Sequence, residues 1–560
     1  MQDKIIIYQI FTRLFGNTNT TRKHNGSIAD NGCGKMNAFT PATLRRIKEL
    51  GVTHVWYTGI IRHATTTDYS AYGIPKQHPA VVKGNAGSPY AITDYYDVDP
   101  DLAVNVEKRM QEFEALVKRT HKEGLKMVID FVPNHVARQY KSIAKPDGTA
   151  DFGEDDDKGK QFYQMNNFYY CPGADFAPDI DLYHGEAEPY QEFPAKATGN
   201  DCFGNRPGRN DWYETVKLNY GVDYCDAGGV STHFYPIPDT WLKMRDILLF
   251  WAAKGIDAFR CDMAEMVPSA FWAWATKEVK KKFRNVIFIG EVYNPARYRE
   301  YISAGFDYLY DKVGMYDCIR DVVCGYRPAT DITRQWQITD DIADHMLYFL
   351  ENHDEQRLAS DFFAGDAKKG VPALIVNALM RKNPFMLYAG QEYGERGMDE
   401  EGFSGKDGRT TIFDYWSIDS LIHGYSSRRM LTAEEKSLEQ IYKKVLNIAL
   451  TERAISEGEF FDLMYVNPSS EDFDASRLYA FIRKNKKDTL LVVANFSDSE
   501  KLIKLNIPEH AFEYLQLPKG MMQATDLITG DKSTVCLSCD SRLTLNIKPL
   551  SGKVLKIGGK

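Results

Sequence analysis

The chain reads as an α/β protein built on a (β/α)8 TIM barrel, with a domain B inserted after the third strand and a C-terminal antiparallel β-sandwich. Three observations predict this architecture. Short apolar runs alternate with amphipathic helical stretches, the pattern of parallel strands joined by helices. That rhythm breaks from about residue 136 to 222, where Gly, Asp, Tyr and Pro accumulate with little periodicity, an interruption too long for a simple loop. Beyond about residue 452 it gives way to short alternating strands with polar turns. The expected divisions are 1–135 and 223–452 for the two parts of the barrel, 136–222 for the insertion and 453–560 for the sandwich.

The elements follow in order. IIIYQIF is the first strand; PATLRRIKELG has helical spacing with a glycine stop, and VTHVWYTG is the second strand. EKRMQEFEALVKRTHKEG is a strongly amphipathic helix that leads into KMVIDFV, the third strand. After the insertion, TWLKMRDILLFWAAKG and IDAFRCD form the next helix and strand, and FWAWATKEVKKKF and VIFIGEV repeat the pair. FDYLYDK, HMLYFLENHD and NPFMLYAGQEYG complete eight strands, and a last helix is expected between about Glu434 and Leu450. RLYAFIRK, TLLVVANF and RLTLNIKP then have the period of two that an antiparallel sheet requires.

Composition excludes several classes of function. A net charge of -8 without a dense Lys/Arg run argues against a nucleic-acid partner, whose phosphates need a basic surface. No segment reaches membrane-spanning length, and MQDKIIIYQIF lacks the pattern of a signal peptide. A cytoplasmic location is therefore expected, with a periplasmic or secreted one if a leader has been removed. Nine cysteines, an odd number scattered along the chain, do not form a disulfide framework. Cys536 and Cys539 make a lone CxxC with nothing to complete a zinc site. Cys261 should point away from its neighbour Asp262 on a strand.

Four strand-end motifs carry the chemistry: VIDFVPNH, DAFRCD, FIGEV and FLENHD. A barrel holds its active site at the C-terminal ends of its strands, and these motifs deliver Asp130, Asn134, His135, Arg260, Asp262, Glu291, His353 and Asp354 to that rim. A retaining glycosidase needs one carboxylate to attack the anomeric carbon and one carboxylic acid to protonate the departing oxygen, and it needs no cofactor. An arginine beside the nucleophile should keep that carboxylate ionised.

On these motifs the chain resembles the α-amylase family, glycoside hydrolase family 13, including its neopullulanase-like members, from Tyr8 to the C-terminal β domain. The resemblance implies Asp262 as nucleophile, Glu291 as acid/base and Asp354 as transition-state stabiliser, with Asp130, His135, Arg260 and His353 around the sugar. SPYAITDYYDVDP is similar to the segment whose tyrosine stacks on the sugar, which implies that role for Tyr90. A structural Ca2+ is also implied, with Asn134 and Asn219 at ligand positions, although Met266 stands where the family has a ligand histidine and could offer only its carbonyl. The acidic run Asp151, Asp155, Asp156 and Asp157 is either a second cation site or a solvated loop. Glu265 replaces a common lysine after the nucleophile, so it either bonds a sugar or faces solvent. VKLNYG is similar to the motif of enzymes acting on both α-1,4 and α-1,6 links. The implied activity is hydrolysis of α-1,4 bonds in maltodextrins. Transglycosylation or disaccharide isomerisation at the same site is an alternative, and a non-catalytic sugar-binding or transport subunit is another. The partner implied is an α-glucan oligosaccharide, and the oligomeric state stays open.

Overall fold

The computed structural model describes residues 4–179 and 188–558, so part of the insertion expected at 136–222 lies outside the described residues. Eight parallel strands close into a barrel: β1 (Ile6–Phe11), β2 (His54–Thr58), β3 (Lys126–Phe131), β4 (Ala258–Cys261), β5 (Ile287–Gly290), β6 (Tyr308–Tyr310), β7 (Met346–Phe349) and β8 (Phe385–Tyr388). Each falls within an apolar run identified above. Neighbours in the barrel are neighbours in sequence, and β1 pairs with β8 through Ile6↔Phe385 to Gln9↔Tyr388.

Alternation along the strands sorts the side chains. Ile7, Val128, Ala258, Ile289, Leu347 and Met386 fill the barrel interior. Two residues further along the same faces stand Gln9, Asp130, Arg260 and Glu291, so the inward set turns from apolar to polar at the strand ends. The outward residues, Phe259 and Cys261 among them, join the core shared with the surrounding helices. Cys261 thus points away from Arg260, as strand geometry requires, and all nine cysteines are unpaired.

The helices are built by ordinary local rules. α1 (Pro41–Glu49) starts at Thr40, whose hydroxyl accepts from the Thr43 amide at 3.2 Å, with Pro41 in the first turn. α2 (Arg109–Lys122) buries Phe113, Leu116, Val117 and Thr120 on one stripe and ends in basic residues, which favour the negative end of the helix dipole. α3 (Asp239–Ala253) and α4 (Ser269–Lys282) flank β4. The last barrel helix, α5 (Ala433–Thr451), opens with a capping box between Thr432 and Glu435.

Two excursions rise over the C-terminal rim. One follows β2, where Ile61–His63 pairs with Ile92–Val98 and buried Arg62 lies 3.2 Å from Asp94 and 3.3 Å from Asp97. The sequence pattern did not distinguish this hairpin from a loop. The other follows β3, where His135–Ala137 pairs with Thr215–Lys217 and Tyr170–Cys171 with Ala195–Lys196. Its acidic run serves the loop itself: Asp156 accepts from the amides of Asn167 and Phe168, and Asp157 from that of Gly159. Among the described residues no group of acidic, His or Cys side chains is arranged to hold a metal, and no helix is long and apolar enough to cross a membrane.

The C-terminal domain contains a six-stranded antiparallel sheet in the order β9 (Glu459–Asp462), β10 (Leu478–Lys484), β11 (Thr489–Asn495), β16 (Ser551–Ile557), β13 (Gly520–Asp526), β14 (Lys532–Leu537). A second sheet pairs β12 (Lys501–Leu505) with β15 (Leu543–Ile547), and its inward Ile503, Leu505, Leu543, Leu545 and Ile547 close the sandwich.

Barrel closure has a polar component. Glu392, just beyond β8, is fully buried and accepts from the Tyr8 hydroxyl of β1 and from the Gly390 amide at 3.0 Å. Burial raises its carboxyl to about 7. A group whose folded-state pKa is raised stabilises the fold below its unfolded pKa and loses that contribution as pH rises through the folded value. Between pH 5 and 8 Glu392 should therefore cost the protein about 3 kcal/mol. Glu392→Gln should leave the melting temperature nearly unchanged at pH 5 and raise it at pH 8. Equal shifts at both pH values in calorimetry would refute this account.

Candidate active site

The parallel ladder runs one residue past β4 and β5 and fixes the two central carboxylates. The Asp262 amide donates to the Phe131 carbonyl at 2.9 Å, and the Glu291 amide to the Cys261 carbonyl at 3.1 Å. Between their side chains lies the Arg260 guanidinium: Nη1 is 2.7 Å from Asp262 Oδ1 and Nη2 is 2.8 Å from Glu291 Oε2. Nη1 also lies 3.7 Å from Asp130 Oδ1. The rings of Trp56, Tyr90 and Tyr310 surround this cation, with centroids 5.2, 5.5 and 5.5 Å away.

Glu291 is held at both oxygens. The Tyr293 hydroxyl donates to Oε1 at 2.6 Å and the Met263 amide to Oε2 at 2.8 Å. Met263 has φ +44°, the left-handed region that non-glycine residues seldom enter, and that backbone turn aims its amide at the carboxylate.

His353 forms the other half of the site. Gln9 Nε2 donates to its Nδ1 at 2.7 Å, which leaves the ring hydrogen on Nε2, 2.6 Å from the Tyr90 hydroxyl and 3.1 Å from Asp354 Oδ2. Burial, with Arg260 nearby, pushes His353 well below the ordinary histidine range, so it stays neutral. Its ring stacks on Tyr90 at 5.3 Å and 28°. Burial and Glu291 raise the Asp354 carboxyl to about 7, while its side chain keeps 38% of its surface exposed at the cavity mouth.

These residues enclose a cavity of about 320 Å³. Tyr90, His135, Asp262, Glu291 and Asp354 line it, as the sequence motifs anticipated. Arg260, Asp130 and His353 were expected against the sugar but lie beneath the lining. Asp130 accepts from Trp56 Nε1 at 3.0 Å and from the Gly59 amide at 3.4 Å, so its work is to position Arg260 and the second strand. Glu265 also lies outside the cavity: its carboxylate accepts from the Asn294 amide at 3.1 Å. The expectation that Arg260 keeps Asp262 ionised meets a stronger opposing effect. Burial raises the Asp262 carboxyl well above the usual range, Arg260 opposes this and Glu291 adds to it. The cluster of carboxylates therefore tends to hold a proton.

Sequence reasoning missed nine lining residues, and four of them show why. Lys83, from the excursion after β2, lies 2.8 Å from Glu214 of the second excursion, and Glu214 Oε2 is buried with no protein partner. Trp212 packs against His135 at 5.4 Å, and Phe413 comes from beyond β8. All four are on irregular segments, where no periodicity reports the direction of a side chain.

The implied calcium ligands are otherwise engaged. The Lys217 ammonium, nearly fully buried, lies 2.7 Å from Asn134 Oδ1, 2.6 Å from Asp201 Oδ1 and 3.5 Å from the Met266 carbonyl. Asn219 Oδ1 accepts from the Gly221 amide at 2.8 Å, and its Nδ2 donates to the Tyr163 carbonyl at 2.9 Å. A lysine charge thus joins the oxygens that a divalent cation would need, and these residues do not fit Ca2+. Excess EDTA should leave the melting temperature unchanged, whereas Lys217→Met should lower stability by about 3 kcal/mol, since it strips a buried cluster of its cation. A calcium-dependent melting temperature for the wild type would contradict this assignment.

Known proteins resemble this chain along most of its length. The family model described as "Alpha amylase, catalytic domain" matches residues 9–444. Alpha-amylase 3 of Dictyoglomus thermophilum is 22% identical over 95% of this chain and 92% of its own length. Neopullulanase 2 of Thermoactinomyces vulgaris is 21% identical over 98% and 77%. Among solved structures, the α-amylase of Geobacillus thermoleovorans, crystallised with acarbose, superposes with a TM-score of 0.65 at 20% identity, covering 100% of this chain and 99% of that one. With a barrel that gathers its carboxylates at the strand ends and a family match over most of its length, this chain belongs to the α-amylase family of glycoside hydrolases.

Proposed function

We propose that this protein hydrolyses α-1,4-glucosidic bonds of maltodextrins with retention of anomeric configuration. The observation that carries this reading is the single guanidinium shared by Asp262 and Glu291 at the floor of the cavity. A cation shared by two carboxylates suits the short separation that double displacement needs, about 5–5.5 Å, better than the roughly 6.5–9.5 Å of inverting enzymes.

In the first step Asp262 attacks the anomeric carbon as Glu291 gives its proton to the departing oxygen. In the second, Glu291 takes a proton from water, which displaces the sugar from Asp262. Entry of substrate favours the ionised nucleophile, because positive charge grows on the sugar beside it. Tyr90 offers its face to the ring, and Asp354 stands at the mouth where it can accept from sugar hydroxyls as that charge develops. Glu214 Oε2, buried and without a partner, suits a further sugar hydroxyl. An acceptor sugar in place of water would give transglycosylation from the same intermediate.

With maltoheptaose, chromatography should show shorter maltooligosaccharides, and proton NMR should show α-anomers formed first. Asp262→Asn should lower kcat by about 10⁴-fold or more in a folded protein; near-normal turnover would sink the nucleophile assignment. Products longer than maltoheptaose would identify transfer as the main activity. Glu214→Gln should raise KM for maltoheptaose about tenfold with a smaller change in kcat. An unchanged KM would remove Glu214 from substrate binding.

A further inference from the structure

A second cavity, about twice the volume of the catalytic one, lies between the barrel and the C-terminal domain, at about 680 Å³ against about 320 Å³. Its barrel wall is the helix Asp331–Ile338 and the 3₁₀ segment Asp340–His345, which leads into the start of β7. Catalytic residues stand at the strands' C-terminal ends, so this cavity opens at the opposite end of the barrel. The other wall is β9, Tyr465 and the helix Glu509–Leu515.

Its floor is fixed. Trp336 Nε1 donates to Asp462 Oδ2 at 2.8 Å, the Trp336 ring meets Phe460 edge-on at 5.1 Å, and the Arg381 guanidinium lies over both rings at 5.0 and 4.9 Å. Its rim is aromatic and exposed. Tyr465 keeps 56% of its surface exposed and Tyr514 60%. Neither ring swings freely: the Tyr465 hydroxyl is 2.5 Å from His510 Nε2, and the Tyr514 hydroxyl donates to Glu459 Oε2 at 3.3 Å. Both rings also pack beside Phe461, with centroids 6.3 and 6.2 Å away. Held, exposed tyrosines lose little conformational freedom when a flat apolar face is laid on them.

The polar lining sets the chemistry of the ligand. Asp340, Asp341, Asp344 and Glu459 surround the opening. Arg381 pairs with Asp340 at 2.5 Å and Lys382 with Asp344 at 2.6 Å, yet these carboxylates remain more than half exposed and able to accept further hydrogen bonds. An anionic ligand would be repelled here. A neutral chain with apolar ring faces and many hydroxyl donors suits both features, because C–H faces stack on tyrosine while hydroxyls donate to carboxylates. A concave, half-polar cleft fits such a chain better than a protein surface, which needs a broad apolar centre.

We propose that this interdomain cleft is a second α-glucan site, which holds a stretch of the same polymer that the catalytic cavity cuts; the choice of glucan rests on the proposed function. It would retain long chains near the enzyme and leave cleavage of short ones unaffected. Calorimetric titration of Asp262→Asn with maltoheptaose should give two sites. Adding Tyr465→Ala and Tyr514→Ala should abolish one or weaken it by about tenfold or more. In the otherwise wild-type protein the two tyrosine changes should raise KM for soluble amylose about fivefold, with hydrolysis of maltotriose and the melting temperature unchanged. A single site in Asp262→Asn, or two undiminished sites after the tyrosine changes, would overturn the proposal. Failure of the catalytic reading has a separate signature: no turnover of any α-glucan by the wild type, whatever the number of binding sites.

Discussion

The buried guanidinium of Arg260 is the constraint on which the active site depends. It stands at the end of β4 in a space closed by aromatic rings, where an unpaired charge would cost several kcal/mol. That cost obliges the strands on either side to present acid. β3 supplies Asp130, the residue after β4 supplies Asp262, and β5 leads to Glu291. The same arrangement keeps two carboxylates close that would otherwise repel each other.

Around that centre the division of labour follows depth. Asp130 and His353 lie under the lining: Asp130 Oδ2 accepts from Trp56 and Gly59, and His353 bonds Gln9 and Tyr90. Asp354, Glu214 and Tyr90 reach the cavity and retain faces or oxygens for a ligand. The irregular excursions form the upper wall, and Lys217 binds one of them to the barrel. Its ammonium bridges Asn134 at the end of the third-strand motif, Asp201 in the excursion and the Met266 carbonyl after β4.

At the far end of the barrel the C-terminal domain adds a surface of different character. Its β9 meets the helix before β7 through Asp462, which accepts from Trp336, Thr333 and Tyr479. One half-buried carboxylate thus stitches the two domains together, and the aromatic rim stands beside that seam. The proposed cutting and holding of a long polymer would then be separated, since the strand ends and the strand starts face opposite directions.

The sequence by itself determined the barrel, the sandwich and the central carboxylates, for a reason visible along the strands. Period-two alternation puts Ala258, Arg260 and Asp262 on one face, and Ile289 and Glu291 on another, so the change from apolar to charged residues marks both the rim and its chemistry. Tertiary structure alone decided which polar residues touch the cavity. Arg260, Asp130 and His353 looked like ligand contacts because they share motifs with residues that line the cavity, but their depth depends on neighbouring strands. The roles of Lys83 and Glu214 arise from a pairing between segments 131 residues apart in irregular backbone, where no repeat constrains the direction of a side chain, and that of Lys217 from contacts with three separate segments. The interdomain cleft has the same origin: Trp336, Tyr465 and Tyr514 are unremarked aromatics along the chain and become one surface only when two domains meet.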